Sequence, residues 1–395
     1  MKKAMVLGCG LVGATMARDL STDPDLDVTV ADVRPENLRK LQGTARIKTV
    51  QEDLADPRRV AALIEPCDVV LGALPSRFGF ATLKAVIESV KPFCDISFMD
   101  QDPLELDDLA RKKGVTAVID CGVSPGLSNM IIGFVYSKLD QTDSARIYVG
   151  GVPKLRHWPF QYKAPFAPAD VIEEYTRPAR LVENGAIVVK PALSEQELLD
   201  FPRVGTLEAF NTDGLRTLLT TVAIRDMSEK TLRYPGHCEL MKVFRETGFF
   251  SRDLIDVSGV TVCPLDVTAR LLFPKWTYQA DEEEVTVLRV IVEGRRGGES
   301  LRYTYDLYDE YDRPSGTSSM ARTTAFPAAI VARMLASGRL HEPGVLPPER
   351  LAQRPGVFEM VVEALRSRGV TLKSQIERID RPSGTGLAIS DGAAE

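Results

Sequence analysis

Histidine and tryptophan are scarce in this chain, with three and two copies among 395 residues. The histidines, His157, His237 and His341, stand far apart, and none sits at ligand spacing from a cysteine. Six cysteines (Cys9, Cys67, Cys94, Cys121, Cys238 and Cys263) form no Cys-x-x-Cys pair. Neither a metal site nor a disulfide framework is therefore expected, and the thiols read as free and buried. Cys9 and Cys121, each beside a glycine at a strand end, are the two expected nearest a cofactor. Runs of basic residues are also missing, and the net charge is −6, which leaves no footprint for nucleic acid. Long apolar runs are absent too. The first, near the N-terminus, holds about five residues, too few for a signal peptide or a membrane span. A cytoplasmic protein with small-molecule partners, no membrane partner and no internal repeat is the expectation.

The composition is otherwise that of a folded chain, 44% hydrophobic and 26% charged. Its length suits two domains of roughly 150 residues or more each. Residues 3–7 form an apolar strand that runs into Gly8, Gly10 and Gly13 and then a helical pattern. Gly8 permits a tight turn, Gly10 lets backbone approach a pyrophosphate, and Gly13 lets the helix pack on its strand. A second strand, 28–32, ends in Asp32, 19 residues after Gly13. That spacing fits the acid that binds the ribose of a dinucleotide, about 20 residues on.

Strand and helix patterns alternate from there, with further strands over 47–50, 67–74, 93–97 and 115–120. Six strands in that rhythm predict a complete doubly wound dinucleotide domain. Ligands of such sheets sit beyond the carboxyl ends of the strands, so 8–13, Asp32, 74–77, 95–98 and 121–126 become site candidates. The loop Cys121-Gly122-Val123-Ser124-Pro125-Gly126-Leu127-Ser128-Asn129 puts bare backbone near the nicotinamide end. After residue 145 the rhythm changes to short β runs at 145–149, 186–189 and 206–210. Residues 285–293 and 301–308 read as hairpin strands around 294–300. Residues 323–335 read as an apolar helix, and 383–395 as a disordered tail.

Three stretches carry a resemblance to a known family: Gly8-Cys9-Gly10-Leu11-Val12-Gly13, Gly122-Val123-Ser124-Pro125-Gly126-Leu127-Ser128-Asn129, and Lys230-Thr231-Leu232-Arg233-Tyr234-Pro235-Gly236-His237. Together with Asp95-Ile96-Ser97-Phe98, Gly150-Gly151-Val152-Pro153, 208–216 and 323–329, they make the chain resemble the saccharopine dehydrogenase family over nearly its whole length. The resemblance implies an α/β fold, an N-terminal doubly wound Rossmann domain with an inserted α+β substrate and dimerisation domain. The boundaries expected are 1–122 for the first, 123–322 for the second, and 323–382 for a segment returning to the Rossmann domain. It implies a homodimer and nicotinamide-dependent chemistry at a C–N bond of an amino acid. Cofactor contacts are implied for Gly8, Gly10, Leu11, Val12, Gly13, Asp32, Ser76, Ser97, Val123, Ser124 and Pro125. Substrate contacts are implied for Phe98, Tyr162, Lys163, Thr231, Leu232 and Arg233. Where saccharopine reductases carry an acid in the Gly-x-x-Pro-Gly turn, this chain has Ser124, which is similar to the lysine 6-dehydrogenase branch.

Removal of hydride from a carbon bearing an amine needs that amine neutral, so a base is required. His237 and Lys163 are the two candidates, the first by its ordinary pKa and the second by desolvation beside Tyr162. Asp95 and Asp120 could hold an amine. Arg233 is the expected anchor of a substrate carboxylate, because a guanidinium grips a carboxylate bidentately. A glutamate moiety, as in saccharopine, needs a second anchor such as Arg156, Arg177 or Arg216. Asp32 favours NAD by accepting from a ribose 2′-hydroxyl, and Arg34 keeps NADP open. Oxidation of L-lysine at its ε-carbon is the first expectation, with saccharopine chemistry or a catalytically silent nucleotide-binding regulator as alternatives.

Overall fold

In the computed structural model, which describes residues 1–166, 168–279 and 282–379, the chain builds two large sheets. The first contains β1 (Lys2–Leu7), β2 (Leu26–Asp32), β3 (Ile47–Gln51), β4 (Val69–Gly72), β5 (Phe93–Asp95) and β6 (Thr116–Val118). They are joined by a seventh strand from far down the chain, Gly344–Leu346. The order runs β3-β2-β1-β4-β5-β6 and then the late strand, all parallel. Alternate residues separate onto the two faces: Ala4, Val6, Val28 and Val30 enter one core, and Met5, Leu7 and Ala31 the other. This is the near-continuous apolar strand of a sheet covered on both sides. Strand order reverses between β1 and β4, which opens a crevice over their carboxyl ends.

The second sheet is built from β7 (Gln141–Pro153), β8 (Ala179–Glu183), β9 (Ala186–Lys190), β10 (Glu197–Phe201), β11 (Gly205–Asn211) and β12 (Asp226–Arg233). A separate hairpin of β13 (Ile255–Val257) and β14 (Val260–Val262) follows, and then β15 (Glu284–Arg296) and β16 (Glu299–Glu310). The late strand of the first sheet is β17 (Gly344–Leu346), and β18 (Leu372–Arg378) closes the series. The main path is β10-β11-β12-β7-β15-β16-β18. Only β12 and β7 run parallel along it.

Three differences from the sequence patterns have physical causes. The hairpin strands β15 and β16 run further than 285–293 and 301–308, because the turn is only Gly297-Gly298, with φ of 57° and 83°. Two successive positive φ values give the tight turn whose twist matches the strands it joins. The polar stretches between β strands hold helices Pro168–Thr176, His237–Glu246 and Pro264–Trp276. The C-terminal segment divides: β17 enters the first sheet, but β18 pairs with β16 at the edge of the second. The stretch 383–395, read as a disordered tail, lies outside the described residues.

The helix Ser319–Ala336 packs on the helix Leu11–Ser21 that follows the glycine turn. Asp19 ties the two ends of the chain, since its carboxylate meets Arg333 at 2.5 Å and Arg368 at 2.7 Å. Among the described residues, no helix is long and apolar enough to cross a membrane.

Candidate functional site

A cleft of about 840 Å³ is lined by residues of both sheets and of the loops and helices beside them. Its first wall is the glycine turn. Gly8 has φ +100°, and a Cβ there would fall 2.4 Å from the Ala73 carbonyl oxygen. A Cβ on Gly13 would lie 2.0 Å from the Gly8 oxygen, so both positions need glycine for the turn itself. Gly10 differs, because its Cβ would meet nothing within 4 Å and would project into open cleft. The helix that follows has no side-chain cap, which leaves its first N–H groups for a ligand. Backbone N–H groups without a capping side chain, bare Gly10 and an acid at the end of β2 fit a dinucleotide. Leu11 and Val12 continue this wall.

Asp32 binds the turn to β2: Oδ2 accepts from the Cys9 N–H at 2.7 Å, and Oδ1 from the Arg34 N–H at 2.8 Å. Arg34, Asn37 and Lys40 stand beside it on the cleft wall. Cys9 does not reach the cleft, and burial, reinforced by Asp32, pushes its thiol up to about 11. Cys121 is also fully buried off the wall. The two thiols expected nearest a cofactor are packing groups.

The middle of the cleft is made by Ser76, Ser97 and the loop Val123, Ser124 and Pro125. Gly126 has φ +136° and no room for a Cβ, which would sit 2.0 Å from the Gly122 oxygen. The Ser128 hydroxyl donates to Ser124 at 2.9 Å, and Asn129 Oδ1 accepts from the Gly126 N–H at 3.2 Å. Ser97 donates to Asp95 Oδ1 at 3.0 Å. Asp95 itself is sealed behind Ser97, and burial raises its carboxyl to about 7. Asp120 is sealed as well, its Oδ2 3.2 Å from Arg216 Nε. Neither acid reaches the cleft to hold an amine.

The substrate end is read off β12. Side chains alternate along a strand, and Glu229, Thr231 and Arg233 face the cleft while Lys230 and Leu232 face away. Leu232 is thus a core residue, packed with Tyr148 and Val285 rather than exposed to substrate. Glu229 is the functional candidate that motif reading missed, although the same alternation from Thr231 reaches it. Its carboxylate accepts from the Thr212 hydroxyl at 2.5 Å, and Thr212 and Thr231 oxygens lie 2.8 Å apart. Burial first, then Glu174 and Asp213, raise the Glu229 carboxyl to about 8.

Arg233 lines the cleft but is already engaged. It meets Glu174 at 2.5 Å, donates to the Leu232 carbonyl at 2.9 Å, and reaches the Tyr162 and Tyr175 hydroxyls at 3.4 Å. Its guanidinium stacks 4.4 Å from the Tyr162 ring, which lies beneath it and off the wall. Lys163 is directed elsewhere, into an ion pair with Glu282 at 2.5 Å. His237 is 2% exposed, with Tyr175 and Phe160 as partners. Burial, and Arg233 after it, lower its pKa to about 3. Both expected bases therefore stand outside the cleft.

Phe98 does line it, with Arg216 4.5 Å and Arg177 5.1 Å from its ring. Of the three further anchors, only Arg177 reaches the cleft, and it is paired with Asp100. Arg156 stacks on Tyr234 at 3.9 Å instead. The helix Pro168–Thr176 contributes Asp170, Glu173 and Glu174 to this end. The Asp170 carboxylate meets the Ser76 hydroxyl at 3.3 Å, and burial raises its pKa.

Residues 4–118 match the family description "Saccharopine dehydrogenase NADP binding domain", and residues 122–370 match "Saccharopine dehydrogenase C-terminal domain". Among curated relatives, mitochondrial alpha-aminoadipic semialdehyde synthase of Mus musculus is 22% identical over 95% of this chain and 48% of its own length. The chain spans about half the length of the synthases it matches. Saccharopine dehydrogenase [NADP(+), L-glutamate-forming] of Saccharomyces cerevisiae is 21% identical, over 95% of this chain and 99% of the yeast protein. The apo structure of histidine-tagged yeast saccharopine dehydrogenase (L-Glu forming) superposes with a TM-score of 0.80 at 19% identity, covering 95% of this chain and 100% of that one, which establishes the fold. With both halves matched in order across nearly its whole length, the chain belongs to the saccharopine dehydrogenase family.

Proposed function

We propose that this protein is an NAD(P)-dependent dehydrogenase that oxidises the ε-carbon–nitrogen bond of L-lysine, giving an imine that hydrolyses to the semialdehyde and cyclises. A bound nicotinamide would supply the hydride acceptor. The residues of the chain would hold the dinucleotide on the glycine turn and Asp32 and present the amine from the β12 side. The observation that carries the choice of substrate is the charge of that end. Five carboxyl groups line it, Asp170, Glu173, Glu174, Asp213 and Glu229, against three guanidiniums: Arg177 and Arg233, each paired with an acid, and Arg77, which stacks on Phe78 near Asp170. Asp170 and Glu229 take their hydrogen bonds from the hydroxyls of Ser76 and Thr212. Under-solvated carboxyls of this kind gain from a cationic amine and repel further carboxylates.

Saccharopine is the second reading, favoured by the near full-length match to the yeast enzyme of that name. It requires carboxylate anchors, and Arg233 is committed to Glu174. The proposed dinucleotide is NAD, since Asp32 retains acceptor capacity toward a ribose 2′-hydroxyl. A homodimer is proposed from the β13–β14 hairpin, where Ile255, Val257 and Val260 are 47–61% exposed. A two-stranded ribbon of apolar residues is marginal in water, and a second copy would cover it. The deciding experiment supplies NAD or NADP with a panel of lysine, saccharopine and neutral and acidic amino acids, and follows absorbance of the reduced dinucleotide. Reduction with lysine supports the first reading, reduction with saccharopine the second, and none with any amino acid a silent nucleotide-binding regulator. Light scattering on the purified chain tests the dimer.

A further inference from the structure

We propose that Glu229 is the group that receives the proton of the substrate's amine, a role that rests on the reading of the cleft as an amine-oxidising site. The two side chains expected to serve as base are excluded by position, Lys163 by its pairing with Glu282 and His237 by enclosure behind Tyr175. Glu229 is on the wall at the substrate end, in one row with Thr231 and Arg233.

Its hydrogen-bond partner suits a group that changes protonation state. The Thr212 hydroxyl has one proton and gives it to the ionised Glu229 at 2.5 Å, so Thr231 must donate to Thr212 across 2.8 Å. When Glu229 is protonated, it donates to Thr212, which then donates to Thr231. Both states are satisfied by turning two hydroxyls, with no heavy atom displaced, and Thr231 is itself on the cleft wall. The pair thus accommodates either charge and offers the proton a way out. The Gly214 N–H also bonds the Glu229 carboxyl and favours its ionised form, against burial and the neighbouring acids.

Burial above all, and then the charges that face it, set the basicity of Glu229. Glu174, from the helix Pro168–Thr176, and Asp213, beyond β11, disfavour the ionised form together with burial, while Arg233 on the same strand is paired with Glu174. A carboxyl so placed exchanges protons near neutrality, the range in which a general base is most effective. In the proposed step the N–H bond of R–CH2–NH3+ breaks and an O–H bond forms on Glu229. The product R–CH2–NH2 carries the lone pair that becomes the C=N bond when the carbon is oxidised by the nicotinamide dinucleotide.

The test uses the full chain and its Glu229→Gln and Glu229→Asp variants, with NADH binding by fluorescence to show that the variants are folded. The expected results with L-lysine or L-saccharopine are a fall in kcat of about 100- to 10,000-fold in E229Q, with KM changed little. The inflection of kcat/KM near neutral pH should disappear in that variant, leaving only the rise toward the amine's own pKa of about 10.4, and E229D should retain an intermediate rate. A second readout does not need turnover: calorimetry of amine binding to the NADH-loaded protein at pH 7, in buffers of different ionisation enthalpy. Close to one proton should be released by the native protein and none by E229Q, because an ammonium beside the neutral carboxyl expels its proton. Full activity in E229Q with an unchanged pH profile would overturn the role of Glu229 and leave the proposed function standing. Proton release that depends on Glu229 in a protein oxidising neither amine would overturn the function and leave the proton acceptor. Binding without proton release would overturn the role of Glu229 whatever the activity, and no binding of either amine would overturn both.

Discussion

The hydroxyl of Tyr175 lies 2.9 Å from Nε2 of His237, and this contact determines the state of the ring. Nδ1 is 2.9 Å from the carbonyl oxygen of Phe160, which can only accept, so Nδ1 carries the proton and Nε2 accepts from tyrosine. The tyrosine oxygen in turn receives Nε–H of Arg233 at 3.4 Å. His237 thus links the Phe160 carbonyl to Tyr175, and Tyr175 to the arginine that lines the cleft.

His237→Phe should leave the buried Tyr175 O–H without an acceptor and cost about 1–3 kcal/mol at neutral pH. The native ring also makes a pH signature. Its folded pKa, about 3, lies below its ordinary value of 6.5, so between those values the unfolded chain binds the extra proton. Stability from this group is present above about 6.5 and is lost as pH falls toward 3. Denaturant melts at a series of pH values should show a shallower decline for the variant across that window, and equal slopes would refute the buried neutral ring.

Alanine at two glycines of one motif should have opposite effects. Gly13→Ala drives a Cβ into the Gly8 carbonyl and should destabilise by about 1–3 kcal/mol. Gly10→Ala has open space and should leave the melting temperature unchanged while weakening dinucleotide affinity about tenfold or more, since 1.4 kcal/mol of lost contact is tenfold. Thermal melts and NADH titrations of both variants separate the two roles.

Replacing Asp32 by Ser should lower kcat/KM for NAD by roughly 10- to 100-fold, the worth of a hydrogen bond to a charged acceptor. NADP should lose much less, because Arg34 and Lys40 remain beside the position. Steady-state ratios for the two dinucleotides decide it, and a native preference for NADP would refute the assignment of Asp32.

Glu174→Ala should free the Arg233 guanidinium. Arg233 is buried while Glu174 is partly open to the cleft, so removing the acid leaves a buried charge without its ion-pair partner and lower stability is expected. The selective effect is on substrates: turnover of lysine should fall relative to turnover of a substrate with an additional carboxylate such as saccharopine. An unchanged ratio would mean that Arg233 does not face the substrate.

The first sheet was readable because its determinants are local. Three glycines, an acid at the right distance and apolar strands at even intervals each declare themselves within a few residues. β17 was not readable, since its three residues carry no period and it belongs to the sheet only through pairing with β6. Thr231 and Arg233, both named through their motif, line the cleft and Leu232 does not, because a motif ignores the alternation that turns every second side chain away. Glu229 lay just outside the motif. Lys163 looked available because its partner, Glu282, is 119 residues further along the chain. The acids of Pro168–Thr176 stood in a polar stretch without a strand pattern, and nothing in their spacing signals which face meets the cleft.

The grip of Arg333 and Arg368 on Asp19 also has a consequence for synthesis. The helix that packs on the one after the glycine turn, and the strand that completes the sheet, both follow that turn by more than 300 residues. Through translation the nascent dinucleotide unit keeps one flank uncovered until strands β7 to β16 of the second sheet have been made. A chain stopped before Ser319 would present that bare flank permanently, although every strand from β1 to β16 had been made.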